Sequence, residues 1–170
     1  PAFETKNHGF AHQEAAWALL RSDRTPSNTL VVTGTGSGKT ECFLYPVLDH
    51  CARVRPDQPR GVKALVIYPM NALANDQARR FAETIATTPA FAGLRVGLYV
   101  GGKTDTSPVM TPTSVITDRD VLRQAPPDVL LTNYKMLDYL LVRPKDRGLW
   151  AGNAPDTLRY VVVDELHTFD

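Results

Sequence analysis

The chain has 170 residues, of which 43% are hydrophobic and 22% are charged, and its formal net charge at pH 7 is +1. This is the composition of an ordinary globular domain with its own core. It carries no overall basic signal for nucleic acid, so any such binding has to use a local surface. No apolar run approaches the roughly 20 residues that a membrane span needs, and no secretory signal precedes the first predicted helix.

The two cysteines, Cys42 and Cys51, lie on one predicted helix at a spacing that puts them on opposite faces. We expect them to pack as small hydrophobic residues without pairing, which favours a reducing, cytoplasmic location. The chain begins Pro1-Ala2-Phe3 without a methionine and stops at Asp170, directly after an acidic motif. We therefore interpret residues 1–170 as one domain excerpted from a longer protein.

Helices and strands are predicted to alternate along the chain. The spacing of apolar residues predicts helices at 8–21, 41–53, 71–87, 118–124 and 134–142, with a bend at Pro46. Short apolar or β-branched runs predict strands at 29–33, 62–68, 95–100, 128–132 and 160–164. The segment 103–117 is rich in Thr, Ser and Pro, and we expect a mobile loop there. The alternation predicts an α/β fold, in which a parallel sheet carries helices on both faces.

A glycine-rich turn follows the first predicted strand and ends in Gly38-Lys39-Thr40, just before a helix. This layout is typical of a phosphate-binding P-loop, in which backbone N–H groups and the positive end of the helix dipole face an anion. The general pattern has glycine where this chain has Thr33, although an ordinary Gly/Ser/Thr loop with a surface lysine explains the whole arrangement less well. Lys39 would reach the β- and γ-phosphates, and the Thr40 hydroxyl would hold Mg²⁺. The residues expected to bind the nucleotide are Thr35, Gly36, Ser37, Gly38, Lys39 and Thr40.

Two carboxylates, Asp164 and Glu165, follow the last apolar strand. Ligands of open α/β sheets bind at the carboxyl ends of the strands. Asp164 is therefore placed to hold Mg²⁺, and Glu165 to orient or deprotonate an attacking water. Acidic residues also cap strands and start helices, so the pair alone is equally well explained by structure; together with the upstream P-loop, the functional interpretation is favoured.

The acidic motif Asp164-Glu165-Leu166-His167 resembles the DExH form of motif II in superfamily 2 DEAD/DEAH-box helicases. The P-loop then resembles their motif I, and Gly9-Phe10-Ala11-His12-Gln13 resembles their upstream glutamine motif. The resemblance runs from about Phe10 to His167. It implies a RecA-like P-loop NTPase fold, ATP and Mg²⁺ as cofactors, Gln13 as the residue that reads the adenine edge, and Lys39, Asp164 and Glu165 as catalytic residues. It also implies that His167 couples the nucleotide state to nucleic acid, although a solvated histidine is nearly as good an interpretation.

Three further stretches resemble the nucleic-acid motifs of the same family. Tyr68 to Leu73 resembles motif Ia, Gly101-Gly102 the glycine motif, and Leu131 to Asn133 motif Ib. Met70 and Asn71 stand where motif Ia often has a basic residue, and Asn133 stands where motif Ib often has proline. For Asn71, a helix N-cap is an alternative role. The resemblance implies nucleic-acid contacts from Pro69, Asn71, Asn75, Gly101, Gly102, Thr132 and Asn133.

The amino-acid sequences of residues 70–77 and 133–137 most resemble those of large bacterial DNA helicases of repair and phage defence. This resemblance favours DNA over RNA as the nucleic acid that the protein acts on. In the family, the strand after motif II inserts between the motif II strand and the P-loop strand, and a second RecA-like domain of the same chain supplies arginine fingers. We therefore expect residues 1–170 by themselves to bind ATP–Mg²⁺ with negligible turnover.

The sequence as a whole predicts the first RecA-like domain of an ATP-dependent nucleic-acid helicase or translocase. Two alternatives stay open. One is a motor that moves on duplex DNA without separating the strands. The other is a nucleotide-dependent switch or scaffold that regulates a protein partner.

Overall fold

A computed structural model describes residues 9–34, 36–57, 61–102 and 106–168. Its centre is a parallel sheet of four strands, which lie side by side in the order β2-β3-β1-β4. The strands are β1 (Ala64–Tyr68), β2 (Val96–Tyr99), β3 (Val129–Asn133) and β4 (Tyr160–Val163). Because all four run in the same direction, their carboxyl ends meet along one edge of the sheet.

The helices confirm the predicted alternation. They are α1 (Ala11–Leu19), α2 (Lys39–Val54), α3 (Asn71–Thr87), α4 (Arg119–Gln124) and α5 (Tyr134–Val142), with short 3₁₀ turns at Pro89–Phe91, Pro144–Leu149 and Leu166–Thr168. Pro46 lies inside α2, which runs on past it to Val54. No helix among the described residues is both long and apolar enough to cross a membrane.

Alternating side chains of β1 supply a core on each face of the sheet. Val66 and Tyr68 belong to a cluster that includes residues of α2 and α3, whereas Leu65 and Ile67 belong to a second cluster that includes residues of α5. Every residue of β1 is buried, as the continuous apolar run predicts for a strand covered on both faces. The α/β prediction with helices on both faces is therefore confirmed.

A buried ion pair fixes the opposite, amino-terminal edge of the sheet. The Lys63 ammonium lies 2.9 Å from Oδ1 of Asp128, and the two side chains are 0% and 5% exposed. The other carboxylate oxygen accepts a hydrogen bond from the backbone N–H of Arg95 at 2.8 Å. These residues precede β1, β3 and β2, so the contacts hold the starts of three strands together and align their carboxyl ends.

One prediction about local structure is wrong, and the described part of a predicted loop is held against the sheet. Residues 29–33 form no strand, and Leu30 and Val32 are 73% and 81% exposed. A β-branched run becomes a strand only when another strand accepts its hydrogen bonds, and no described strand pairs with it. The expected mobile loop is also folded back in its described part, 106–117, because Ile116 exchanges hydrogen bonds with β2 and the Thr117 hydroxyl accepts one from Ser107 N.

The cysteines are free and buried, as predicted. Cys42 and Cys51 are 1% and 0% exposed, and burial raises the pKa of both thiols. They act as small core residues of α2, because burial outweighs the opposing effects of the Lys39 charge on Cys42 and of the Lys63 charge on Cys51.

Candidate nucleotide and nucleic-acid sites

The P-loop sequence leads into α2 through a left-handed glycine. Gly38 is the N-cap of the helix, with φ 77° and ψ 36°, a conformation that favours glycine. The next residue, Lys39, folds back on the loop. Its Nζ donates to the carbonyls of Thr33 at 3.2 Å and Gly34 at 3.0 Å. The Thr33 hydroxyl, at the position where the general pattern has glycine, bonds the Ser37 hydroxyl at 2.6 Å. A hydroxyl pair thus closes the loop where the pattern departs from glycine.

The other predicted loop residues surround this turn. Gly36 has φ 74°, and a Cβ there would meet nothing within 4 Å, so its outer side is open. Thr40 is the second residue of α2 and is 9% exposed. Thr35 lies outside the described residues.

Helix α1 packs against the P-loop through two polar side chains. Gln13 is 6% exposed; its Nε2 donates to Gly38 O and its Oε1 accepts from Phe10 N, both at 3.0 Å. His12 Nε2 lies 3.0 Å from Ser37 O. Gln13 therefore does stand beside the P-loop, but one N–H and one carbonyl lone pair already serve the protein. Its reading of adenine stays a prediction, with one N–H and one lone pair free for it.

The acidic pair continues from β4 in an unusual backbone turn. Asp164 N donates to Ile67 O of β1 at 3.0 Å, and Glu165 has φ 51°, a left-handed conformation that is uncommon outside glycine. Glu165 N donates to Asp164 Oδ1 at 2.9 Å. Burial raises the pKa of the Asp164 carboxyl above its usual 3.8, and the positive charge of Lys39 opposes that rise. The charge of Lys39, from the P-loop half of the predicted site, therefore acts on the Asp164 carboxyl of the other half.

One open cleft of about 850 Å³ contains the predicted catalytic side chains. Lys39, Asp164, Glu165 and His167 line it, between the segment 25–33 and the outer edge of β4. His167 is 76% exposed on its side chain, and its Nδ1 lies 3.5 Å from Glu165 Oε2. The structure thus brings together the two halves of the predicted ATP site, which are far apart in the sequence.

The donors in this region suit magnesium. Mg²⁺ prefers oxygen ligands and binds proteins through one or two side chains together with substrate phosphates. The Thr40 hydroxyl and the Asp164 carboxylate are donors of that kind. Within the described ranges, no group of three or more His, Cys, Asp or Glu side chains could hold a metal by itself. A nucleotide's phosphates would have to complete the coordination.

Two features near the P-loop helix were not predicted from the sequence: an ion pair to α3 and a buried tyrosine at the end of β1. Arg80 of α3 forms an ion pair with Glu41, the residue after Thr40. Tyr68 is fully buried, and its hydroxyl has no hydrogen-bond partner among the described residues. Burial, and secondly the charge of Asp164, raise the pKa of Tyr68 well above its usual 10. Tyr68 opens the stretch that resembles motif Ia, but the apolar run in which it stands gives no sign that its hydroxyl is buried.

The three predicted nucleic-acid motifs meet at the carboxyl edge of the sheet. Asn71 Nδ2 donates to Gly101 O at 2.9 Å, and Asn133 Nδ2 donates to Asn71 Oδ1 at 2.5 Å. Asn133 Oδ1 also accepts from Met136 N at 2.7 Å and so caps α5. The alternative role of Asn71 as an N-cap is wrong, since Met70 is the N-cap of α3 and Asn71 is the first helical residue. We call Asn71, Gly101 and Asn133 the asparagine cluster.

The remaining predicted contacts differ in accessibility. Asn75 and Gly102 are exposed and Pro69 is half-buried. Thr132 is 0% exposed, and its hydroxyl donates to Tyr99 O at 2.6 Å. The structure therefore does not bring the Thr132 side chain to the surface. Instead, this side chain holds the end of β2 from within the core.

The amino-acid sequence of this chain is similar to those of several known proteins. A family model described as DEAD/DEAH box helicase matches residues 10–170. The chain is 41% identical over 106 residues to the Druantia protein DruE of Escherichia coli, an alignment that covers 54% of this chain and 6% of DruE. It is 32% identical over 144 residues to the ATP-dependent helicase Lhr-Core of Methanothermobacter thermautotrophicus, covering 83% of this chain and 16% of that protein. It is 31% identical over 138 residues to a putative DEAD-box ATP-dependent RNA helicase 29 of Arabidopsis thaliana, covering 81% and 14%. The chain thus spans less than a fifth of each of these relatives.

Proposed function

The chain belongs to the DEAD/DEAH box helicase family, and on that premise we propose that it is the ATP-binding half of an ATP-dependent nucleic-acid helicase or translocase. A second RecA-like domain of the same protein would complete the ATP site. Hydrolysis would then alternate the grip of the two domains on one strand and move that strand across the asparagine cluster.

The ATP site is proposed to work through this chain's own groups. Lys39 would leave the Thr33 and Gly34 carbonyls for the β- and γ-phosphates, since its hydrogen bonds to neutral carbonyls are exchanged for stronger ones to charged oxygens. Thr40 and Asp164 would hold Mg²⁺, which would offset charge on the phosphates. Glu165 would orient the attacking water and accept its proton. His167, beside Glu165, would report nucleotide state to the nucleic-acid face.

The observation that carries the nucleic-acid part of this proposal is the asparagine cluster. Its hydrogen bonds join three motifs that are 30 and 62 residues apart in sequence, at the sheet edge where ligands of parallel sheets bind. A nucleotide-dependent switch without a nucleic-acid track has no need of this connection. Exposed Asn75 and Gly102 extend the same surface.

DNA is proposed as the track in preference to RNA. The proposal rests on the resemblance of residues 70–77 and 133–137 to bacterial DNA helicases of repair and phage defence. A relative whose name specifies RNA makes RNA the direct competitor in any test.

ATP turnover by the full-length protein tests the proposal. Turnover is measured alone and with single-stranded DNA, duplex DNA or RNA, for the wild type, Lys39→Ala and the exposed-lysine control Lys145→Ala. We expect strong stimulation by DNA that Lys39→Ala abolishes and Lys145→Ala leaves intact. Stimulation by RNA alone would overturn the choice of track. Lys39-dependent turnover that ignores every nucleic acid would overturn the motor and favour the switch.

A further inference from the structure

An arginine that the sequence motifs do not single out lies beside the asparagine cluster. Arg119, the first residue of α4, donates from a guanidinium nitrogen to Val100 O at 2.6 Å. Its guanidinium carbon lies 5.1 Å from the centre of the Tyr99 ring. Val100 immediately precedes Gly101-Gly102, so the arginine reaches the carboxyl edge of the sheet from the side opposite α3.

Three consecutive carbonyls at the end of β2 are held by side chains from three other elements. Thr132 donates to Tyr99 O, Arg119 to Val100 O and Asn71 to Gly101 O, at distances of 2.6, 2.6 and 2.9 Å. Arg119 and the asparagine cluster therefore grip adjacent peptide groups. A cation and two amides are therefore held next to one another at residues 100–101.

Among the described residues, no carboxylate neutralises the charge of Arg119. No carboxylate oxygen of the described residues lies within 4.0 Å of its guanidinium. The acidic residues on either side of it in sequence are engaged elsewhere: Asp118 caps α4 by accepting from Asp120 N and Val121 N, and Asp120 pairs with Arg123.

Arg123, one helical turn further along α4, shows the contrast. Its guanidinium lies 5.7 Å from the same tyrosine ring, but it donates to Asp146, to Asp120 and to the Tyr99 hydroxyl. Its charge and donors are used within the domain. Arg119 is half-buried, and among the described residues its guanidinium donates one hydrogen bond, to the neutral Val100 carbonyl. A guanidinium has five N–H donors, so most of those of Arg119 remain free.

We propose that Arg119 binds a backbone phosphate of the nucleic acid at the asparagine cluster, an inference that rests on the proposed function. The Tyr99 ring and Val100 O would hold the guanidinium in place, so that little side-chain freedom is lost on binding. This cation would supply the positive charge that Met70 and Asn71 do not carry, although it comes from a different part of the chain.

Salt dependence separates a phosphate contact from a structural role. Each neutralised phosphate contributes about 0.7 to the slope of log affinity against log salt on single strands and about 0.9 on duplex DNA. The full-length protein is titrated with labelled single-stranded DNA, duplex DNA and RNA over a range of salt. The variants are Arg119→Gln, Arg119→Lys and the control Arg53→Gln. Arg53 lies on the last turn of α2 and is paired with Asp49, so the control removes the same charge at a different place.

We expect Arg119→Gln to reduce the slope by roughly one phosphate contact, about 0.7 on the single strand, while Arg119→Lys and Arg53→Gln retain the wild-type slope. A wild-type slope in Arg119→Gln would overturn the proposal. So would equal weakening by Arg119→Gln and Arg119→Lys at every salt concentration, because that result assigns Arg119 to holding Val100 alone. If the wild type itself binds no nucleic acid, the proposed function fails and this inference fails with it; a failure confined to Arg119 leaves the proposed function standing.

Discussion

Replacing Asn133 with serine should weaken the asparagine cluster, the proposed nucleic-acid surface, without removing the helix that follows it. Asn133 makes two separable hydrogen bonds: Oδ1 caps α5 by accepting from Met136 N, and Nδ2 donates to Asn71 Oδ1. Serine is as good an N-cap as asparagine, but its shorter side chain cannot supply the amide donor. Asn133→Ser therefore removes the connection between motifs and keeps the cap.

The expected magnitudes follow from the number of bonds lost. A neutral hydrogen bond contributes about 0.5–1.5 kcal/mol net to stability. Asn133→Ser should therefore destabilise the asparagine cluster by about 1 kcal/mol. Asn133→Ala, which also loses the cap, should cost about 2 kcal/mol. Asn71→Ala loses its bonds to Gly101 O and to Asn133 and should cost about 2 kcal/mol as well. Because one bond is shared, the double variant Asn71→Ala/Asn133→Ser should cost little more than Asn71→Ala alone.

The assay is the dissociation constant for labelled single-stranded DNA in the full-length protein, with hydrogen exchange of the 99–102 amides as a structural readout. A cost of about 1 kcal/mol corresponds to at most roughly a fivefold weaker complex, a limit that is reached when the cluster forms only on binding. ATP affinity without nucleic acid should not change. Additive effects of Asn71→Ala and Asn133→Ser on DNA affinity would refute the reasoning, since each amide would then be contacting the nucleic acid independently.

Two predictions concern the amino-terminal edge of the sheet. Lys63→Met leaves the buried Asp128 carboxylate with only its longer ion pair to Arg55 at 3.6 Å and should destabilise β1 and β3 by up to about 3–5 kcal/mol. Lys63→Met/Asp128→Asn should recover most of that loss, because the amide oxygen still accepts from Arg95 N; hydrogen exchange of the strand amides measures both, and equal protection in the two variants would contradict the argument. Burial, followed by the charges of Arg159 and Lys63, lowers the pKa of His50 to about 4. The unfolded chain, with its histidine near 6.5, therefore takes up the proton first as the pH falls from 6.5 to 4, and stability should decrease by up to about 3 kcal/mol. His50→Phe should lack this part of the acid sensitivity in denaturation measured at pH 7 and pH 4.5, and an unchanged pH dependence would show that His50 is not its source.

Local signals were enough to predict the helices. The predicted limits of α3 and α5 coincide with the observed Asn71–Thr87 and Tyr134–Val142. Each of these helices directly follows a strand, and apolar spacing continues to its last turn. These features lie within a short window, so sequence alone contains them. The run 29–33 has equally strong local β-propensity, but its state depends on a pairing partner elsewhere, and no window of sequence supplies that information.

The same distinction separates the parts of the site that were predicted from those that were not. Asn71 and Gly101 follow strands of one parallel sheet and Asn133 is the last residue of another, so topology alone brings them to a common edge despite separations of 30 and 62 residues. The sequence therefore indicates that they meet, although the particular bonds, such as Asn133 to Asn71, require side-chain geometry. Arg119 follows no strand; it reaches Val100, 19 residues earlier, only because the intervening segment folds back along β2. A basic residue that reaches the nucleic-acid face by such a route has no fixed place in a motif. The absence of a basic residue from motif Ia is consequently poor evidence that this face has no cation of its own.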